Sequence, residues 1–429
     1  AKTEEKAKLA KNELEFKKNK EKLTEVLVQK LFKVLNGKTS AGVKAVYGDD
    51  MIPKGTKFTL KNLSSVDYDN VNFANWTYYI DVDDGVDTAT ADTSESLRRF
   101  KAEYGTTVNY QEVFLDNDEF FGTIKAPLDA GQDTGWDIVT PTTWMAKKIV
   151  DLGWAEKFDK ANMPNFVANL ADEFTGRAAD PGNDYLAPWQ SLMTGLAVNT
   201  EKTTRFTKVS GLWDPKLKGK IVLLTELRDT VGLVMLGNGA DPATPTRSTF
   251  DAAITTLQDA ISSEQVRKLS GQGYTELLIN DAAYAAIAWS GDVGIIQAEK
   301  AELEFIVPDE GGMYATDNML IPKGAKNKYT AELWIDFYYQ PEIAAIVEAY
   351  VQYICPVKGA AEEITKIDPA LASNPLIFPD EATKGRLKVW GEVSADEQAY
   401  FEQAYASPYF FDSQSYREIP VTVVEFTHV

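Results

Sequence analysis

Four short apolar runs, each passing into a turn and then a helix, constrain this sequence more than any other feature. Asp137-Ile138-Val139 predicts a buried strand, Pro141-Thr142-Thr143 its turn, and Trp144 to Leu152 a helix stopped by Gly153. Lys220 to Leu224 predicts a second strand, with Thr225 capping the helix that follows. Tyr284 to Trp289 predicts a third, leading through Ser290-Gly291-Asp292 to a helix that begins at Val293. Val71 to Asn75 predicts a fourth, ending in Trp76-Thr77-Tyr78-Tyr79. Repeated strand, turn and helix units specify an α/β protein with a parallel or mixed sheet. Ligands of such sheets bind beyond the carboxyl ends of the strands, so these four turns are where function is sought.

The turns share a composition. Trp76, Tyr78, Tyr79, Trp144 and Trp289 are aromatic, while Glu226, Asp229 and Asp292 are acidic. Aromatic faces combined with carboxylates hold organic ammonium ions, by cation–π attraction of about 0.5 to 2 kcal/mol per contact and by charge-assisted hydrogen bonds. An anion site calls for several Arg or Lys, and only Arg228 occurs in these turns. Each residue also has an ordinary structural reading, the acids as helix caps and the aromatics as core. Recurrence over four turns favours a site.

Composition narrows the chemistry further. A single cysteine, Cys355, and a single histidine, His428, exclude an intramolecular disulfide, thiolate metal clusters, histidine triads and HExxH zinc sites, and no cofactor is implied. A net charge of −20 over 429 residues repels nucleic acid and attracts cations. No run approaches the ~18 apolar residues of a membrane span. Charge is unevenly divided: residues 1–72 hold 15 Lys and no Arg against 10 acids, giving +5 and leaving −25 for the rest. All nine tryptophans lie beyond residue 72, so 1–72 is expected to be a separate, mainly helical module. Leu23, Leu27, Leu31 and Val34 recur at helical spacing, and Asn36-Gly37 supplies a stop, which predicts an amphipathic helix over about 4–35. Gly37-Lys38-Thr39 is half of a phosphate loop whose first glycine is replaced by Phe32. The first residues contain neither an apolar signal core nor a lipidation cysteine, which leaves a processed, an engineered or a cytoplasmic chain open.

Two resemblances follow from longer stretches. Residues 1–72, through LVQKLFKVLNGKTSAGV and MIPKGTKFTLKNL, resemble a fragment of the bacterial RNA polymerase β subunit, which brings no catalytic residue and suggests a chimeric junction. From about Asn72 to Tyr409 the chain resembles the extracytoplasmic spermidine/putrescine-binding proteins of ABC importers. The landmarks are Asn72-Phe-Ala-Asn-Trp-Thr-Tyr-Tyr-Ile80, Trp136-Asp-Ile-Val-Thr-Pro-Thr-Thr-Trp144, Asp184-Tyr-Leu-Ala-Pro-Trp189 and Gly219-Lys-Ile-Val-Leu-Leu-Thr225. They continue with Ala288-Trp-Ser-Gly-Asp292, Asp309-Glu-Gly-Gly312, Asp317-Asn-Met-Leu-Ile-Pro322 and Asn374-Pro-Leu-Ile-Phe-Pro379, and their order and spacing make the match specific.

This resemblance implies a two-lobed type II periplasmic-binding-protein fold with strands crossing near Tyr185 to Leu196 and Glu310 to Pro322. One lobe is expected from 73–188 plus 318–365, the other from 189–317 plus 366–412, with a tail over 413–429. It implies a polyamine held between the lobes by Trp76, Thr77, Tyr79, Thr142, Trp144, Glu226, Asp229, Trp289, Asp317 and Tyr353, with Asp317 as the central ammonium partner; Tyr78 and Asp292 of the strand ends and Trp189 of the landmark Asp184 to Trp189 complete the expected site. Ala315 stands where the family commonly has a tryptophan, and Tyr78 where it often has an acid. The implied partners are the polyamine and an ABC permease, and the implied location is the periplasm or cell surface, without enzymatic activity. Other readings are a binding protein for another small cationic or amino-acid-like solute, an assembly protein dominated by residues 1–72, or a hydrolase using paired carboxylates.

Overall fold

The computed structural model describes residues 28–40, 43–44, 50–52, 54–64, 70–86 and 88–406. Of the helix expected over 4–35, residues 28–35 are described and are helical, and the chain leaves the helix through Gly37 at φ 80°. His428 and the expected tail 413–429 lie outside the described residues. In the N-terminal module β1 (Val43–Lys44) pairs antiparallel with β2 (Asp50–Ile52). Val28, Ile52 and Leu63 bury together against Leu31, Phe32, Leu35 and Phe58, in a cluster distinct from the main core. Lys38 and Thr39 are tied into this module by backbone pairing with Phe58 and Lys57, which accounts for the Gly-Lys-Thr sequence as a structural turn.

The first lobe is built on β3 (Val71–Trp76), which pairs in parallel with β4 (Val108–Phe114) and β5 (Ile138–Val139). As the central strand, β3 is covered on both faces, with Val71, Phe73 and Ala74 fully buried. Its pairing begins at Val71, so the expected boundary at residue 72 falls inside a strand. The second lobe carries β7 (Ile221–Leu224), β8 (Val266–Ser270) and β9 (Ala285–Trp289), joined in parallel through β7.

Two segments cross between the lobes. The strand β6 (Ala187–Asn199) is buried along all 13 residues and pairs antiparallel with β9, with β10 (Leu303–Ile306) and with β11 (Gly312–Met319). Beyond β11 the chain reaches the first lobe, where Leu320 bridges Val139 and Pro322 bridges Ala155. A parallel pair to β12 (Leu387–Lys388) completes the mixed seven-stranded sheet. Ile377, beyond the changeover expected at residue 366, buries with Ala345 and Ile364 on the helices Pro341–Val351 and Ala360–Ile367. No helix among the described residues is long and apolar enough to cross a membrane.

Two local expectations are corrected. The helix after β7 spans Leu227–Gly237 with Glu226, not Thr225, at its N-cap position. The helix after β9 begins at Ser290 rather than Val293, so Ser290, Gly291 and Asp292 form its first turn.

Candidate functional site

The carboxyl ends of β3, β5, β7 and β9 converge on one cleft of about 1020 Å3 between the lobes. Trp76, at the end of β3, is fixed by its indole N–H, which donates to the Thr140 carbonyl at 2.8 Å. Across the cleft it meets Trp289, at the end of β9, edge to face at 6.2 Å. The Trp289 indole N–H in turn donates to Asp229 Oδ2 at 3.1 Å, and the Thr194 hydroxyl of β6 donates to Asp229 Oδ1 at 2.7 Å.

Asp317 lies near the end of β11, in the segment that crosses between lobes. Tyr79 and Thr142, both of the first lobe, donate their hydroxyls to its two oxygens at 2.7 Å each. It is 3% exposed, and burial pushes its carboxyl up to about 7 against the hydrogen bonds that favour the charged form. Burial likewise raises Asp229. Glu226 is raised well above the ordinary range, by burial first and by its acidic neighbours Asp116 and Asp229 next. Its Oε1 accepts the backbone N–H of Asn117 at 3.0 Å and the Asn117 side-chain amide at 2.9 Å, bonds that run from one lobe to the other. Three carboxylates thus face an aromatic cleft with burial opposing their charge.

Asp292 holds a different position. It accepts from Tyr353 at 2.7 Å, Gln272 at 2.8 Å and Tyr274 at 2.9 Å, and burial lifts it to about 6. It does not line the cleft; its partners Tyr353 and Gln272 do. Glycine at 291 permits this, because a Cβ there would stand 2.2 Å from the Tyr353 ring.

Of the residues expected from sequence, Trp76, Tyr79, Thr142, Trp144, Glu226, Asp229, Trp289, Asp317 and Tyr353 line the cleft. Trp189 does not: it is fully buried, edge to face with Phe73 at 5.8 Å and against Tyr338 at 4.3 Å, because its strand β6 is enclosed on both faces. Tyr78 is also corrected, since it stands 40% exposed at φ 57° in the turn after β3, its backbone N–H on Glu112. Thr77 is half-buried in the same turn and does not line the cleft. Residues the sequence reading left out include Gln272, Arg228 and, from the C-terminal part of the chain, Trp390 and Glu402. Arg228 was legible as the one cation in the turns. The others lie far from any strand end recognised in sequence.

These features define a two-lobed binding protein with its ligand cleft at the strand ends. The chain belongs to the bacterial extracellular solute-binding protein family, whose model matches residues 95–379. The spermidine/putrescine-binding periplasmic protein of Salmonella typhimurium is 26% identical over 341 residues, covering 79% of this chain and 91% of that protein. The putrescine-binding periplasmic protein PotF of Escherichia coli is 25% identical, covering 73% and 84%. A solved structure described as a spermidine/putrescine ABC transporter from Listeria monocytogenes superposes with a TM-score of 0.68 at 26% identity, covering 79% of this chain and 98% of that one. The fold is that of the type II periplasmic binding proteins. These matches leave the likeness of residues 1–72 to a polymerase β subunit unsupported.

Proposed function

We propose that this chain captures a polyamine of the putrescine/spermidine class outside the cytoplasm and delivers it to the permease of an ABC importer, with no covalent chemistry. The observation that carries this reading is Asp317, a buried carboxylate held by Tyr79 and Thr142 in a cleft that is also lined by Trp76, Trp289, Tyr353, Asp229 and Glu226. An ammonium placed there restores the solvation that burial removes and brings its own charge to the acid. A second ammonium of the same molecule meets Asp229 or Glu226. In this reading Trp76, Tyr79, Thr142, Tyr353 and Trp289 shape the wall, and Asp292 orients Tyr353.

A thermal-shift screen of diamines, triamines, amino acids and anions tests the proposal. Ligand that binds only the folded state at 100 times its dissociation constant adds about 2.7 kcal/mol, a readily measured shift. Stabilisation by putrescine or spermidine, and none by anions, is expected. Stabilisation by an amino acid alone supports the other small-solute reading instead.

A further inference from the structure

Trp144 is the second residue of the first-lobe helix Thr143–Asp151, and Arg228 is the second residue of the second-lobe helix Leu227–Gly237. The Arg228 guanidinium carbon lies 3.5 Å from the centroid of the Trp144 ring, so the cation sits directly over the indole. Both side chains line the cleft. The carboxylates of Glu226, Glu402, Asp118 and Asp229 act on the guanidinium, but none forms an ion pair with it among the described residues.

The aromatic face that sequence assigned to a ligand ammonium is therefore covered by the protein's own cation. The contact also bridges the lobes. It lies in the same seam as the Asn117 to Glu226 hydrogen bonds and as the approach of Leu115 to Gly271, where a Cβ would stand 2.5 Å from the Leu115 carbonyl oxygen. Parting the lobes breaks the stack and returns both groups to water.

We infer that Arg228 is a positioning residue: its stack on Trp144 is a latch that holds the lobes closed over the ligand. An interaction present only in the closed state biases the equilibrium towards closure, and ligand then leaves more slowly. The latch rests on the proposed polyamine capture only for the ligand used to read it.

The test uses the full chain with Arg228→Met, Trp144→Ala, the double variant and Trp144→Tyr. Putrescine affinity and dissociation rate are measured for each, with small-angle scattering in the absence of ligand. Each of the two disrupting single variants is expected to weaken binding by roughly 3- to 30-fold, mainly through faster dissociation, the range set by one cation–π contact. The double variant is expected to be no weaker than the worse single variant, because both remove one interaction. Trp144→Tyr, which keeps a ring face, retains most of the affinity. Without ligand, Arg228→Met and Trp144→Ala show a larger radius of gyration than the unaltered chain. Additive losses, tighter binding by Arg228→Met, or an unchanged radius of gyration overturns the latch. If the unaltered chain binds neither putrescine nor spermidine, the polyamine reading fails, and the scattering comparison still decides the latch.

Discussion

Asp317 shows at the scale of one residue how burial prepares a carboxylate for a cation. Two hydroxyl donors hold both its oxygens, yet burial dominates and lifts it to about 7. Asp317→Asn keeps the size and removes the charge, and putrescine affinity is expected to fall by roughly 30-fold or more, the loss that follows from unpairing a buried ammonium. Calorimetric titration of the two proteins checks this, and equal affinities would refute the assignment of Asp317. The pH dependence has a definite sign. A bound ammonium favours the charged carboxylate, so below about pH 7 binding must expel a proton, and affinity falls as pH falls. Alkyl ammonium groups, with lysine-like values near about 10.4, keep their charge throughout. Titrations between about pH 5 and 8 in buffers of different ionisation enthalpy should report proton release. An affinity independent of pH in that window contradicts the scheme.

At the scale of elements, the site depends on what the crossing strands bury. β6 carries Trp189 and Gln190 into the interior, where the Trp189 indole N–H, Gln190 Oε1 and Glu348 Oε2 have no hydrogen-bond partner among the described residues. Glu348, on the helix Pro341–Val351, interacts with Gln190, and burial pushes it up to about 8, so it is mostly protonated at neutral pH. A protonated carboxyl supplies the donor that the Gln190 Oε1 acceptor lacks. Because its folded value lies above its unfolded one, Glu348 contributes stability that is full below about pH 4.3 and is lost as pH rises through about 8. Glu348→Gln mimics the protonated form and is expected to fold normally at pH 7. It should flatten the fall of stability between about pH 5 and 8 by up to about 1.4 kcal/mol per pH unit. Urea unfolding at several pH values measures it, and identical slopes in the two proteins exclude the account. Trp189→Ala, by contrast, belongs to the core: a loss of about 3 to 5 kcal/mol is expected, with putrescine affinity of the folded fraction retained. A selective loss of affinity would return Trp189 to the site.

On the scale of the whole molecule, the N-terminal cluster of Val28, Ile52 and Leu63 is separate from the core that unites the two lobes. Deleting residues 1–69 is therefore expected to leave a folded protein stabilised by polyamine to the same extent. The cut precedes Asn70 because its carbonyl accepts the Asn327 side-chain amide and Val71 opens the β3 ladder. Circular dichroism and thermal shift with putrescine check the result, and insolubility or loss of the ligand effect shows that the module is integral. In that shortened chain, saturating polyamine should also reduce the radius of gyration, since a ligand between Asp317 and Asp229 draws the lobes together. The deletion and the scattering are independent measurements.

Sequence alone determined the α/β class, because an apolar run that ends in a turn and a helix start has few other ways to bury itself. It also placed Glu226, Asp229 and Trp289 together, since strand ends of one sheet gather at one edge, whereas Trp76 ends a strand of the other sheet and meets them only because the two lobes face each other. The separation of Trp289 from Trp189 was not legible, because both close apolar segments, and only the enclosure of β6 sends Trp189 into the core. Asp292 reads as a site acid in sequence, yet three donors from Gln272, Tyr274 and Tyr353 turn it into their anchor, and the fit depends on a glycine contact across 62 residues. Trp144 and Arg228 are 84 positions apart, and their stack exists because two lobes made from interleaved parts of the chain close on each other. Spacing along a chain fixes which face a residue occupies; which residue meets it across a cleft is decided by packing over the whole molecule.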